Sequence, residues 1–240
     1  LVGSEMCIRD RDYGKVQNMA LFVQDEVQLS EPLTMYLGLR LDHYKKGAGD
    51  FWNTNSDFHN TSASETYNEL SPKVAFSYQQ DCDTNFYVSY GHSFNPPPMY
   101  EIYRFYEYSK YWYLPNPELD PETSDTFEIG MKKRLNDKTN IGLTLYHVKT
   151  DDKIAAEFVP GETHEGKDVK KYMNFDSETR QGVELEVNHQ FDDKFSSYLN
   201  YSWQHGVLKT NGNEKNDYEI PKHLLHAGLA YNYDLSLIHI

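Results

Sequence analysis

Along much of the chain, apolar and polar residues take turns. In LTMYLGLRLDH, Leu33, Met35, Leu37, Leu39 and Leu41 occupy alternate positions, and Thr34, Tyr36, Gly38, Arg40 and Asp42 fall between them. A period of two belongs to a strand with one apolar face; a helix would smear the same leucines around its cylinder. The pattern recurs at Leu70, Pro72, Val74, Phe76, Tyr78, at Phe86, Val88, Tyr90, and at Phe127, Ile129, Met131. It returns at Ile141, Leu143, Leu145, at Val183, Leu185, Val187, at Leu199, Tyr201, Trp203, and at Leu225, Ala227, Leu229, Tyr231. With the less regular ALFVQDEVQL at 20–29, the spacing predicts nine strands.

The predicted connections alternate in length. Short turns fall at 30–32, 79–83, 135–138 and 191–194, and long polar stretches at 44–67, 95–122, 150–172 and 206–219. Tight turns at one end and elaborate loops at the other are the arrangement of outer-membrane barrels, which pair a lipid-facing apolar row with a polar row facing the lumen. A soluble sandwich also alternates, but its polar row faces bulk water and favours Lys, Thr and Ser. Here that row carries Tyr36, Arg40, Glu128, Glu184, Glu186 and Tyr198. The expected fold class is therefore all-β: an antiparallel up-and-down transmembrane barrel, partial and open over this segment. Aromatic residues near predicted strand ends, namely Tyr44, Tyr78, Tyr90, Phe94, Tyr146, Trp203, Tyr231 and Tyr233, are expected in interfacial girdles, where an amphipathic ring sits between lipid and water.

Composition supports strands over helices. Of 240 residues 20 are tyrosine and 15% are aromatic, while the mean hydropathy is −0.77. No run approaches the roughly 18 apolar residues of a spanning helix. The net charge of −14 disfavours nucleic acid as a partner, since phosphate binding needs a positive footprint.

Both ends resemble read-through of a transposase sequencing adapter and are set aside from fold reasoning. The codons GAG ATG TGT ATA AGA GAC AG spell Glu5 to Asp10 and begin Arg11, within LVGSEMCIRDR at 1–11, and the reverse strand spells LSLIHI at 235–240. The natural segment is then expected to be 12–234, truncated on both sides. Cys7 drops out with the adapter, leaving Cys82 and no disulfide framework.

Five stretches resemble TonB-dependent outer-membrane receptors in sequence as well as in pattern. ALFVQDEVQLSEPLTMYLGLRLDHY is similar to a barrel hairpin of that family, and YNELSPKVAFSYQ to its strand carrying Ser-Pro-Lys. FYVSYGHSFNPPPMYEIY, with Phe94, Pro97 and Glu101, resembles the Phe-Arg-x-Pro segment, with Asn95 where the family usually carries Arg. PNPELDPETSDTFEIGMK, with Asn116, Pro117, Pro121 and Glu122, and NFDSETRQGVELEVN, with Gly182 and Glu184, resemble two further motifs. Pro121 and Glu122 read as the restart of a strand, and Gly182 as a flexible point beside Glu184 and Glu186. The five occur in family order and span nearly all of 18–231.

The resemblance implies a barrel of about 22 strands, filled by an amino-terminal plug domain and coupled to the inner-membrane TonB complex through a short box. Neither plug nor box is expected within 12–234, and nine strands would not close such a barrel. The implied function is uptake of a ferric siderophore or similar iron complex across the Gram-negative outer membrane. The implied partners are that iron complex, outer-membrane lipid and, through the region upstream of this segment, TonB. A passive porin-like channel or an adhesin barrel is the alternative reading, and haem or cobalamin the alternative ligand.

The stretch MYEIYRFYEYSKYWYLPNP interleaves aromatic rings with Arg104 and Lys110. Stacking and cation–π contact suit a flat anionic ligand such as a ferric catecholate, which points to Arg104, Tyr106, Tyr108, Tyr111 and Trp112. The same rings would equally pack the loop on its neighbours. Haem wants an axial His or Tyr, and no His lies between Phe94 and Asn116. The other histidines show no metal-ligand spacing, and in HLLH at 223–226 an i, i+3 pair on a strand points to opposite faces. No metal site or cofactor is expected, and nothing marks the nucleophile–base pair that an enzyme would need.

Overall fold

The structure is a computed structural model describing residues 10–53, 58–217 and 220–233. Its strands are β1 (Asp10–Tyr13), β2 (Val16–Ser30), β3 (Leu33–Lys46), β4 (Gly49–Asn53), β5 (Phe58–Ser62), β6 (Glu65–Gln79), β7 (Thr84–Asn95), β8 (Tyr106–Tyr108) and β9 (Tyr111–Leu114). They continue as β10 (Glu122–Asn136), β11 (Thr139–His164), β12 (Lys167–Gln190), β13 (Phe195–Thr210), β14 (Asn213–Asn216) and β15 (His223–Tyr231), with one short helix, α1 (Met99–Tyr103). The adapter-like stretches lie outside the described residues except for Asp10 and Arg11, whose backbone opens β1.

Nine strands form a wall in the order β2-β3-β6-β7-β10-β11-β12-β13-β15, each antiparallel to its neighbours in sequence order. These are the nine that the alternation predicts. The wall is open, with β2 at one edge. Leu21, Leu37, Leu39, Leu41, Leu70, Ile129, Leu145, Leu225 and Leu229 stand exposed along one face. So much contiguous apolar surface is incompatible with water and is what a strand wall presents to lipid. On the opposite face lie Arg40, Lys73, Glu128, Thr144, Glu184 and Tyr198, confirming the predicted polar row.

That polar face carries a recurring device. Tyr87 lies across from Gly130, Tyr146 from Gly182 and Tyr198 from Gly228, each ring covering the glycine on the next strand. Gly182 is therefore not the flexible point that its motif suggests. It sits within β12, and a Cβ there would come 2.6 Å from the Trp203 carbonyl oxygen and 2.6 Å from Tyr146 Cζ. The glycine exists because a backbone and a ring approach it closely.

At the loop end the strands outrun any membrane. The 26 residues of β11 reach about 85 Å at ~3.3 Å each, whereas roughly 9–11 residues cross a bilayer. The stretch 150–172 is thus a continuation of β11 and β12 rather than irregular loop, turning at Glu165 (φ 50°) and Gly166 (φ 75°). Asn211 (φ 50°) and Gly212 (φ 78°) make the same kind of turn between β13 and β14, the left-handed pair that tight hairpins require.

Three residues expected in the girdles sit elsewhere. Tyr146 belongs to the polar face, and Tyr44 shares that parity with Arg40 and Asp42 and is buried at 2% exposure. Phe94 packs its ring 6.3 Å from that of Tyr44. Its neighbours in β7 lose β6 above the Gly91–Lys73 pair, so face alternation no longer sets its surroundings. Tyr78, Tyr90, Trp203 and Tyr231 do stand exposed on the apolar side.

Candidate functional site

The densest packing lies in the segment 96–121, which leaves the wall between β7 and β10 and docks on both flanks. Towards β2 and β3, Ile102 and Leu119 are fully buried. The Tyr103 hydroxyl donates to the Gly47 carbonyl at 2.6 Å, and its ring covers Gly14, where the chain breaks between β1 and β2. The Tyr44 hydroxyl donates to the Pro97 carbonyl at 3.3 Å, and burial pushes that phenol up to about 12. Lys46, 0% exposed, donates from Nζ to the Leu119 carbonyl at 3.0 Å and pairs with Glu65 at 2.8 Å. The Tyr67 hydroxyl lies between Glu65 Oε2 at 2.7 Å and Asp120 Oδ1 at 2.9 Å, with its single proton to share between them.

On the other flank, β9 runs parallel to β12, with Trp112 opposite Val169 and Leu114 opposite Lys171. Asn116 Nδ2 donates to the Tyr172 carbonyl at 2.6 Å, and the Asn116 amide to the Glu101 carbonyl at 2.9 Å. Glu122, buried at the foot of β10, accepts from Asn95 Nδ2 at 2.7 Å, the Ile154 amide at 2.7 Å and Lys153 at 3.0 Å. Asn95, the departure from the family's Arg, thus still ties β7 to β10.

The residues marked for a ligand divide between two faces of the β8–β9 hairpin. On one, Tyr106 and Tyr113 stack at 5.0 Å, Tyr113 and Tyr172 at 5.6 Å, and Tyr100 meets Tyr106 and Tyr172 edge-on. Arg104 lies 5.4 Å from the centre of the Tyr106 ring. Tyr108 pairs with Tyr111 on the same face; it is 69% exposed, while Tyr111 lies under Lys110 and Lys170. Trp112 faces the other way, stacked on Phe105 at 4.8 Å with His164 edge-on to both. So Arg104, Tyr106, Tyr108 and Tyr111 share a face and Trp112 does not.

Tyr113, Tyr172 and His164 join this cluster without having been marked from sequence. Tyr113 carried a signal, since it stands opposite Tyr106 in any tight hairpin closing at Ser109–Lys110. Tyr172 and His164 come from the β11–β12 hairpin and carried none. Burial raises the Glu101 carboxyl, which is hydrogen-bonded to Tyr100. Burial, then the hydrogen bond with Tyr106, raises the Tyr172 phenol.

The description "TonB dependent receptor-like, beta-barrel" matches residues 3–238. The chain belongs to this family. TonB-dependent receptor barrels are outer-membrane proteins of Gram-negative bacteria, which accounts for the lipid-ready face of the wall. Among curated relatives, the metal-pseudopaline receptor CntO of Pseudomonas aeruginosa is 27% identical over 150 residues, 62% of this chain and 19% of that protein. The hemin receptor of Yersinia enterocolitica is 28% identical over 127 residues, 48% of this chain and 17% of that one. The chain thus spans less than a fifth of these relatives.

Among solved structures, the copper transporter OprC superposes with a TM-score of 0.71 at 18% identity, over 90% of this chain and 32% of that one. The ferric yersiniabactin uptake receptor FyuA from Yersinia pestis gives 0.68 at 14% identity, over 94% and 33%. At such identities the likeness is one of fold, a partial TonB-dependent receptor barrel. In this barrel Pro97, Glu101, Asn116, Pro121 and Glu122 are all buried. These residues are, physically, anchors that hold segment 96–121 in place.

Proposed function

We propose that the receptor carrying this segment imports an iron complex, a ferric siderophore foremost, by TonB-coupled transport, and that Arg104, Tyr106, Tyr108 and Tyr111 meet the ligand. The observation that carries this reading is the docked segment 96–121, which presents aromatic rings and cations on a held surface at the loop end. The rings offer stacking area, and Arg104 and Lys110 offer charge to an anionic complex. The names of the relatives, receptors for metal-pseudopaline and hemin, support a metal complex as cargo. Coupling to TonB is assigned to regions outside this chain.

The test is binding of a ferric catecholate to the full-length receptor in detergent, read by fluorescence quenching. Arg104→Ala is expected to weaken it about 5- to 30-fold, the worth of one cation–π contact between partly exposed and desolvated settings. Trp112→Ala is expected to act less, because Trp112 lies on the other face. Unchanged affinity in Arg104→Ala removes this loop from ligand binding. One observation favours haem as a second reading: His164 is held against Phe105 and Trp112, where an imidazole could serve as axial ligand. Haem titration of His164→Ala, with loss of the Soret shift, separates the two.

A further inference from the structure

The tyrosines gathered where the docked segment meets β12 have a feature that stacking alone does not require. Tyr106 and Tyr172, 66 positions apart, bring their hydroxyl oxygens to 3.2 Å. Two oxygens bound side by side to a small octahedral cation, at about 2.0–2.1 Å each, stand about 2.9 Å apart. The observed pair is within a few tenths of an ångström of that span.

The pair is also held from outside. Tyr113 stacks on both rings, and Asn116 fixes the backbone of Tyr172. A pre-positioned donor pair is what a metal site needs and what a loop packing its own rings does not. Tyr100, 44% exposed, leaves the cluster open on one side.

We propose that Tyr106 and Tyr172 ligate a ferric ion delivered with a small carboxylate chelator, with Arg104 facing the chelator's carboxylates. The inference rests on the reading of this receptor as an importer of iron complexes and narrows the class of complex: one with coordination positions left open, which the protein fills. Oxygen donors suit a hard trivalent ion. The two phenolates fill the two adjacent positions that a tetradentate chelator leaves on a six-coordinate ion. The charge on the chelator is then met by Arg104, 5.4 Å from the Tyr106 ring centre. No electron is transferred. The two waters that occupy the remaining positions on the ion and the two phenol protons pass to solvent as the iron–oxygen bonds form, so binding strengthens with pH.

The test is titration of the full-length receptor, in detergent, with ferric nitrilotriacetate. A visible phenolate-to-iron charge-transfer band is expected; Tyr106→Phe and Tyr172→Phe, which keep the ring stack, should each weaken it, and the double variant should abolish it. Tyr113→Phe should retain it. Arg104→Gln should weaken the site about 10- to 100-fold, as removing a group that supports a ligand does. The absence of a band in the unaltered receptor, an undiminished band in either single variant, or its survival in the double variant overturns the proposal. Ferric catecholate binding on the same sample separates the two readings. A receptor that binds the catecholate without showing the band loses this inference alone, and one that does neither loses the import reading as well.

Discussion

Replacing Lys46 by Met should release the carboxyl-terminal half of segment 96–121 while leaving the wall intact. Lys46 is fully buried, and its ammonium meets the Leu119 carbonyl at 3.0 Å and Glu65 Oε2 at 2.8 Å. Met keeps the length of the apolar stem and removes the charge. A hydrogen bond from a charged donor contributes about 1.5–3 kcal/mol. Breaking a fully buried ion pair costs more, about 3–5 kcal/mol, because the partner charge is stranded. Here Glu65 is 49% exposed and is rehydrated when Lys46 leaves, so the lower range applies. A loss of about 2–3 kcal/mol is expected, which at 1.4 kcal/mol per decade is about 30- to 150-fold in local opening.

Amide hydrogen exchange reads this directly. The amides of Asn116, Leu119 and Asp120 are bonded to the Glu101 carbonyl, the Asn116 carbonyl and Asn174 Oδ1. All three should lose protection together in Lys46→Met, while Leu143 and Leu145 of β11 keep theirs. Glu65→Gln keeps the donor to the Leu119 carbonyl but strands the charge of fully buried Lys46, so it should open the segment at least as much, at a cost of about 3–5 kcal/mol. If the three amides exchange as before, Lys46 is a passenger and the anchoring argument fails. If β11 loosens as well, the segment and the wall are one cooperative unit.

The remaining expectations concern the same anchors and the wall beneath them. Gly182→Ala should lower the temperature at which the folded barrel loses its heat-modifiable gel mobility, by an overpacking cost of about 1–3 kcal/mol, because the Trp203 carbonyl cannot move aside. Gly130→Ala should be relieved by a second change, Tyr87→Ser, since only a side chain stands over that glycine; failure of the rescue would contradict the covering-ring description. Tyr44 has a folded pKa raised from 10.0 to about 12, so its contribution is complete below pH 10 and is lost as pH rises towards 12. Docking of the segment, followed by exchange at Asn116, should weaken across that window in the native protein and show no such step in Tyr44→Phe.

How much of this was open to sequence reasoning follows from where the physical constraint acts. Between lipid and lumen each strand has one apolar and one polar side, so Leu37, Leu39 and Leu41 had to alternate with Tyr36, Gly38 and Arg40. Above the membrane both sides of β11 and β12 are wet, the alternation lapses, and residues 150–172 look like loop although most of them pair across the two strands, with a break between Phe158 and Thr163. The dipeptides Glu165-Gly166 and Asn211-Gly212 marked those hairpin tips all the same. Parity also placed Tyr44 and Tyr146 on the polar face, so assigning them to a girdle overlooked a signal that was present. The site itself was less legible, because its contacts join residues far apart: Lys46 with Leu119, Tyr106 with Tyr172, Asn116 with Tyr172. A linear motif records that Pro97, Glu101, Asn116 and Glu122 belong together without recording what they hold. Since these residues are spent on anchoring, selectivity for a ligand falls to the residues they leave exposed or half-exposed, Arg104, Tyr106, Tyr108 and Tyr111 among them. Exchanging those four between related receptors should therefore move ligand preference, whereas exchanging the anchors should change only whether the segment stays docked.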